Sequence, residues 1–109
     1  MWGRMSAPNE GDMITEIMVA VPRYVMTLYV TGASRLSLQA VSHVQAFCEE
    51  ELNGNYDLEV VDLYRAPERA KEAQVIAAPT LLRDKPVPIR RIIGDMSNRA
   101  KLRAAIKVV

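Results

Sequence analysis

The segment from Val75 to Asn98 constrains the fold of this 109-residue chain more than any other part of the sequence. It contains an Ala-Pro-Thr motif before an apolar stretch, a turn with two prolines, and a second apolar stretch that ends at Gly94. Two short strands separated by so few residues predict an antiparallel hairpin. Ser97 then offers a side-chain oxygen that suits the N-cap of a final helix. We therefore expect the chain to end in the order strand, strand, helix.

The preceding residues continue this pattern of strands and helices. β-Branched and aromatic residues predict the strands, whereas apolar residues at spacings of three and four predict the helices. The predicted strands are Tyr24–Val30, Tyr56–Leu63, Thr80–Arg83 and Ile89–Ile93, and the predicted helices follow Ser34, cover Pro67–Ile76 and follow Ser97. A helix between the first two strands requires them to be parallel. The order β-α-β-α-β-β-α is that of a thioredoxin-like α/β fold, in which we expect a cis peptide bond before Pro79.

The length of the chain is that of a single domain, which we assign to residues 22–109. Residues 1–21 are expected to form a flexible N-terminal arm, in which Ile14–Val21 is compatible with a short strand, a helical turn or an interface tail. The apolar run Ile17–Pro22 is too short to span a bilayer, and since no basic n-region with a small-residue cleavage site precedes it, we do not expect a secretory signal. A net charge of +1 argues against a dedicated nucleic-acid or membrane-surface protein. We expect a cytoplasmic protein.

Charge is unevenly distributed along the chain. Residues 49–62 carry six acidic side chains, whereas residues 83–107 carry eight lysines and arginines against two aspartates. This asymmetry is typical of charge-complementary association, including self-association, but also of helix faces that only contact water. Both interpretations remain open at this point.

Thiol chemistry is the first activity that the predicted fold suggests. The redox pair of such a domain lies where the first helix begins, because the helix N-terminus lowers the pKa of a thiol. Ser34 and Ser37 occupy those positions here. The only cysteine, Cys48, lies more than three turns further along the helix, on its apolar side, and is expected to be structural. One cysteine also excludes an internal disulfide and a CxxC motif.

The first predicted helix has a broad apolar face, and no residue pattern indicates a catalytic, cofactor or metal site. His43, the only histidine, lacks a second ligand four residues later and is expected at the surface or the core boundary. No serine–histidine–aspartate set or glycine-rich phosphate loop occurs. The apolar face is formed by Leu36, Leu38, Ala40, Val41, Val44, Phe47, Cys48 and Leu52.

Five segments together resemble the KaiB family of bacterial circadian-clock proteins. They are Tyr24–Gly32, Val60–Leu63, Ala66-Pro67, Ala77–Leu81 and Pro88–Asn98, and the resemblance extends over residues 22–108. The same fold resembles the N-terminal sensor domain of the histidine kinase SasA. The resemblance implies a non-enzymatic, metamorphic protein that has a tetrameric resting form with a different C-terminal half. Its thioredoxin-like monomer would bind the ring ATPase KaiC, and a SasA-like kinase would compete for the same site.

The resemblance also implies two sets of functional residues. Gly94 accepts either of two backbone conformations, which suits a segment that changes its fold. Val75 and Ile76 are compatible with an interface or with the core, and Gln39 stands where the family often has a basic residue. The expected partner-binding residues are Arg23, Tyr24, Gln39, Val75 and Ile76. The expected fold-switch residues are Pro79, Gly94, Asp95 and Ser97.

Two other functions remain open from the sequence. A thioredoxin-like enzyme would use Cys48 as a lone reactive thiol, which requires a thiol pKa well below that of a buried cysteine. A sensor module would instead serve a histidine kinase encoded separately. A KaiB-like regulator that acts outside a true oscillator, in stress adaptation, is also consistent with a glutamine, Gln39, at a position where the family often has a basic residue. Dimers and tetramers are both compatible with the chain.

Overall fold

The computed structural model describes residues 3–6 and 23–107, which form a five-stranded sheet with helices packed on both faces. The strands are β1 (Arg4–Ser6), β2 (Tyr24–Val30), β3 (Tyr56–Asp62), β4 (Thr80–Lys85) and β5 (Arg90–Ile93). The helices are α1 (Arg35–Glu51), α2 (Pro67–Glu72) and α3 (Arg99–Ile106). None of the helices in these residues is long and apolar enough to cross a bilayer.

The strand order in the sheet is β1-β3-β2-β4-β5. β2 pairs in parallel with β3, and α1 makes the crossover between them. β4 runs antiparallel to β2, and β5 antiparallel to β4. From residue 23 onward this confirms the predicted β-α-β-α-β-β-α order. The peptide bond before Pro79 is cis, as predicted, and those before Pro86 and Pro88 are cis as well.

β1 is a strand that the sequence did not predict. Residues 1–21 were expected to be a flexible arm, but Arg4–Ser6 pairs antiparallel with residues 57–59 of β3. The backbone amide of Val60 continues this contact by donating to the carbonyl oxygen of Gly3 at 2.9 Å. The pairing satisfies backbone groups at an otherwise open sheet edge. The rest of the proposed arm, including Ile14–Val21, lies outside the described residues.

The main core lies between one face of the sheet and the helices α1 and α3. Alternate residues of each strand point into it because side chains in a strand alternate between the two faces. The most deeply buried large side chains are Met26, Leu28, Val44, Phe47, Leu58, Leu81, Leu102 and Ile106. A second, smaller cluster lies under α2 on the opposite face and contains Tyr29, Val61, Val75 and Leu82.

Three local predictions differ from the structure. α2 ends at Glu72 and does not reach Ile76, because Gln74 adopts a left-handed conformation with φ of 56°. The N-cap of α3 is Asn98, not Ser97: its side-chain oxygen accepts from the amide of Lys101 at 3.0 Å. Leu36 and Leu38 are exposed, because they lie on either side of the buried face of α1, which begins at Ser37 and continues through Ala40 and Val41.

Candidate functional site

The first turn of α1 has a hydroxyl network where a thioredoxin-like domain has its redox pair. Ser34 caps the helix by accepting from the amide of Ser37 at 3.2 Å, and its hydroxyl donates to Ser37 Oγ at 3.0 Å. Ser37 Oγ in turn donates to the carbonyl oxygen of Thr31 and accepts from its amide. The two serines therefore fix the turn between β2 and α1 and leave this position without a thiol.

Cys48 is fully buried in the main core. Burial, with a smaller contribution from the carboxylate of Glu49, raises the pKa of the Cys48 thiol to about 12. The residue lies about 21 Å along α1 from Ser34, at 1.5 Å per residue. Because the thiolate is the reactive form, this side chain is unsuited to redox chemistry near neutral pH.

Metal-binding side chains do not cluster in the described part of the chain. No group of three or more histidine, cysteine, aspartate or glutamate residues in residues 3–6 and 23–107 has the arrangement that holds a metal ion. His43 is exposed on α1.

A tight turn after β3 presents an exposed tyrosine beside the start of α1. The carboxylate of Asp62 accepts from the amides of Gly32 at 2.8 Å and Tyr64 at 2.9 Å, and these hydrogen bonds hold the pKa of Asp62 below its ordinary value. The ring of Tyr64 lies against Gly32, where a Cβ atom would be 2.9 Å from Cδ2. Gly32 also has a φ of 66°. The close approach therefore requires glycine and fixes Tyr64, which is 76 % exposed.

The predicted partner-binding residues lie at two opposite ends of the sheet. Gln39 lies in the second turn of α1 and, with Val75 and Ile76, lies near the carboxyl end of β2. Arg23 and Tyr24 lie at the other end of β2, about 20 Å away at 3.3 Å per residue. The structure therefore does not bring all five residues into one contact surface.

Burial separates these residues further. Tyr24 belongs to the main core and Val75 to the small cluster under α2, whereas Ile76 is 93 % exposed. The guanidinium of Arg23 lies 5.7 Å from the ring centre of Tyr24, and the Arg23 amide donates to Asn55 Oδ1 at 2.8 Å. The open choice for Val75 and Ile76 is thus resolved by position: Val75 is a core residue and Ile76 a surface residue.

Gln39 and four exposed apolar side chains lie toward the end of the sheet where β2 and β3 finish and β4 begins, and we call this region the α1-end surface. Leu36 and Leu38 lie with Gln39 in the first two turns of α1, while Tyr64 follows β3 and Ile76 precedes β4. Sequence reasoning placed both leucines in the core and missed Tyr64. The sequence did contain a signal for an exposed Tyr64, since this aromatic residue directly follows the predicted strand and lies just before a helix that begins with proline.

The expected fold-switch residues come together at the junction between β5 and α3. The amide of Gly94 donates to the carbonyl oxygen of Pro79 at 3.0 Å, and Gly94 has a φ of 97°. Asp95 Oδ1 accepts from the amide of Ser97 at 2.8 Å, and this contact, with that of the Ser97 side chain, lowers the pKa of Asp95. The junction therefore connects the start of β4 to the start of α3.

Part of the charge asymmetry is neutralised within the chain. Arg103 forms two hydrogen bonds with Glu51, at 2.7 and 2.8 Å, and Arg99 contacts both Glu50 and Glu51. Arg69 makes a similar pair with Glu59. These ion pairs join α3 to α1 and α2 to β3, so much of the acidic segment has partners inside the fold.

The arrangement defines a thioredoxin-like domain with serines in the redox position. Mitochondrial thioredoxin 3 of Saccharomyces cerevisiae superposes with a TM-score of 0.61 at 19 % identity, over 84 % of this chain and 85 % of that one. The N-terminal domain of Synechococcus elongatus SasA superposes with a TM-score of 0.60 at 17 % identity, over 75 % and 77 % of the two chains. At such identities the likeness concerns the fold alone.

Sequence comparison places the chain within one family of this fold. Residues 27–108 match the KaiB domain family. The chain is 40 % identical over 87 residues to the circadian clock protein KaiB3 of Synechocystis sp., covering 80 % of this chain and 85 % of the relative. It is 43 % identical over 79 residues to the circadian clock oscillator protein KaiB of Thermosynechococcus vestitus, covering 72 % and 73 %. The chain belongs to the KaiB family, which confirms the resemblance of its motifs.

Proposed function

We propose that this chain is a non-enzymatic regulator in a circadian clock, or in a timing or stress system derived from one, and that it binds a KaiC-type ring ATPase in the cytoplasm. Membership of the KaiB family supports the regulatory role. The serines in the redox position and the high pKa of Cys48 argue against the alternative of a thiol enzyme.

The observation that carries this proposal is the α1-end surface. An apolar anchor surrounded by polar groups is the usual centre of a protein interface. Ile76 and Leu36 supply exposed apolar area, and Gln39 supplies an exposed hydrogen-bonding group near the start of α1. We assign the contact with the ATPase to this surface, and we assign Tyr24 and Val75 to the packing beneath the sheet.

Binding by the thioredoxin-like form implies a switch from a resting oligomer with a different C-terminal half. Two forms of one sequence must lie within a few kcal/mol of each other for a partner to select the minor one. The junction of Pro79 with Gly94 supports this, because one hydrogen bond there joins two segments that would have to separate. Asp95 and Ser97 form the turn that follows.

The test is size-exclusion chromatography with light scattering, on the protein alone and after hours of incubation with a purified KaiC-type ATPase and ATP. We expect a dimer or tetramer that moves slowly into a ring-sized complex. Ile76→Asp should weaken complex formation at least tenfold while its melting temperature stays within about 2 °C of wild type, since surface changes rarely alter stability. Val87→Asp, a matched exposed residue at the opposite end of β4, should bind normally. Equal binding by both variants would contradict the assignment.

A SasA-like kinase is a second candidate partner. The N-terminal domain of SasA shares the fold of this chain, which supports competition of the two proteins for one site on the ATPase. Adding that domain to the preformed complex should release this protein if the sites coincide. A direct complex of this protein with the kinase would instead favour the function of a separate sensor module.

A further inference from the structure

Among the described strands, β5 is the last of the sheet and has a neighbour on one side only. Its pairing with β4 begins where Thr80 lies opposite Ile93 and ends where Arg83 lies opposite Arg90. No other described strand contacts its outer edge. Such an edge presents backbone N–H and C=O groups that another extended chain can pair with. This edge is distinct from the α1-end surface, which is formed by helix and loop residues.

Apolar and basic side chains alternate along one face of this edge. Ile92 points into the main core, so Ile89, Arg91 and Ile93 share the opposite face. Ile89 is 61 % and Ile93 45 % exposed, because the short helix α2 does not cover this end of the sheet. Arg91 is held between them: its guanidinium donates to the carbonyl oxygens of Ala73 at 3.1 Å and Gln74 at 3.0 Å.

The charge of this edge is not neutralised within the described part of the chain. Lys85, Arg90 and Arg91 form no ion pair there, in contrast to Arg69, Arg99 and Arg103, each of which contacts a glutamate. The edge is therefore a basic strip with apolar side chains on either side of Arg91.

The same charges argue against a second copy as the occupant. A two-fold pairing of β5 with β5 of another molecule, centred on Arg90 or on Arg91, would bring arginines of the two strands opposite one another. Like charges directly across a ladder are destabilising. An extended segment with carboxylates at alternate positions would instead meet Arg90 on one face of the strand, while its other side chains would contact Ile89 and Ile93 on the opposite face.

We propose that the outer edge of β5 is a docking site for an acidic, extended segment of a partner protein, which adds a sixth strand to the sheet. Ile89 and Ile93 supply apolar contacts, Arg90 supplies charge recognition, and the backbone of β5 supplies the hydrogen bonds. The strip and the proposed contact with the ATPase are formed by different residues, although Arg91 holds the carbonyl oxygens of Ala73 and Gln74, close in sequence to Ile76.

The test uses the full chain and an eight-residue peptide of alternating valine and glutamate, with a valine–lysine peptide as control. Binding is followed by NMR of the amide groups and by hydrogen exchange. We expect saturable binding of the acidic peptide, with shifts and slowed exchange confined to residues 85–93. Arg90→Glu should weaken this binding at least tenfold, whereas the matched reversal Arg35→Glu, on α1, should leave it unchanged.

Three results would overturn the proposal. The first is no binding of the acidic peptide at millimolar concentration, which would mean that the arginines serve only to keep the edge from pairing. The second is equal binding of both peptides, or shifts elsewhere on the protein. The third is protection of β5 that depends on protein concentration, with a dimer seen by light scattering, which would make a second copy the occupant. None of these measurements involves the ATPase, so a failure here is distinguishable from a failure of the proposed function.

Discussion

The guanidinium of Arg83 in β4 donates a 2.8 Å hydrogen bond to the carbonyl oxygen of Ile106, 23 residues later at the end of α3. It also donates to the carbonyl oxygen of Pro88 at 2.7 Å. Arg83 is only 4 % exposed, and this burial lowers the pKa of its guanidinium. One buried cation therefore joins the central sheet, the hairpin turn and the last turn of the last helix, where the helix dipole favours positive charge.

Replacing this cation should destabilise the fold. We expect Arg83→Met to lower the free energy of unfolding by about 1–3 kcal/mol, because carbonyl groups of α3 and of the hairpin turn lose a charged donor. Urea unfolding followed by circular dichroism measures the change. The neighbouring exposed residue provides the control, since Arg90→Met should change stability by less than about 0.5 kcal/mol. Equal effects of both substitutions would contradict the role of Arg83.

Gly32 should not tolerate a side chain. We expect Gly32→Ala to cost about 1–2 kcal/mol for its left-handed backbone alone, with an added steric cost from the ring of Tyr64. Thermal or urea unfolding of the single and double variants separates the two contributions. Tyr64→Ala should remove only the steric part, so the double variant should be more stable than the sum of the single effects predicts. Strict additivity would show that the ring does not restrict this position.

The pKa of Cys48 predicts how stability depends on alkaline pH. Burial raises this pKa from its ordinary value of 9.0 to about 12, so the folded protein keeps a proton that the unfolded chain releases. The free energy of unfolding should therefore fall as pH rises from about 9, by at most about 1.4 kcal/mol per pH unit from this group. Cys48→Ala should show a shallower fall in urea unfolding between pH 9 and 11.

A chemical measurement tests the same thiol independently. At pH 8 an aromatic disulfide reagent should react with Cys48 of the native protein only as fast as the protein opens. In urea, where the chain is unfolded, the same thiol should react at the rate of an ordinary exposed cysteine. Rapid reaction of the native protein would refute burial of the thiol and would reopen the possibility of a thiol enzyme.

In the proposed change of fold, Gly94 should control the balance between the two folded forms. With a φ of 97° and no atom within 4 Å of a Cβ, substitution by alanine is opposed by the backbone and not by a collision. We expect Gly94→Ala to disfavour the thioredoxin-like form by about 1–2 kcal/mol and to slow its capture by the ATPase. NMR peak volumes of the two forms measure the shift. Populations equal to those of wild type would remove Gly94 from the switch.

Local chemistry made much of this fold predictable. Ser34 could be recognised as a helix cap because its side-chain oxygen acts on an amide three residues away, and Tyr24–Val30 could be recognised from β-branched and aromatic residues in one run. Sequence motifs also identified the family. These signals lie within a few residues of the structure that they determine.

The features that sequence reasoning missed depend on distant parts of the chain. β1 is a strand because β3 offers it an edge to pair with. Arg83 is buried because a carbonyl oxygen 23 residues later accepts a hydrogen bond from its guanidinium. Leu36 has the spacing of a core residue, but the neighbouring Ser37 is the residue of that turn that is buried. The contacts that decide such positions exist only after the chain has folded, so no local pattern reports them.

The hydroxyl pair of Ser34 and Ser37 has a consequence for how this molecule senses its surroundings. Cysteines at these positions would form or break a bond as the glutathione poise of the compartment changes. Serines do not, and Cys48 is shielded from oxidants by the core. The α1-end surface therefore has no cysteine in the redox position that could form or break a bond as the redox poise of the compartment changes.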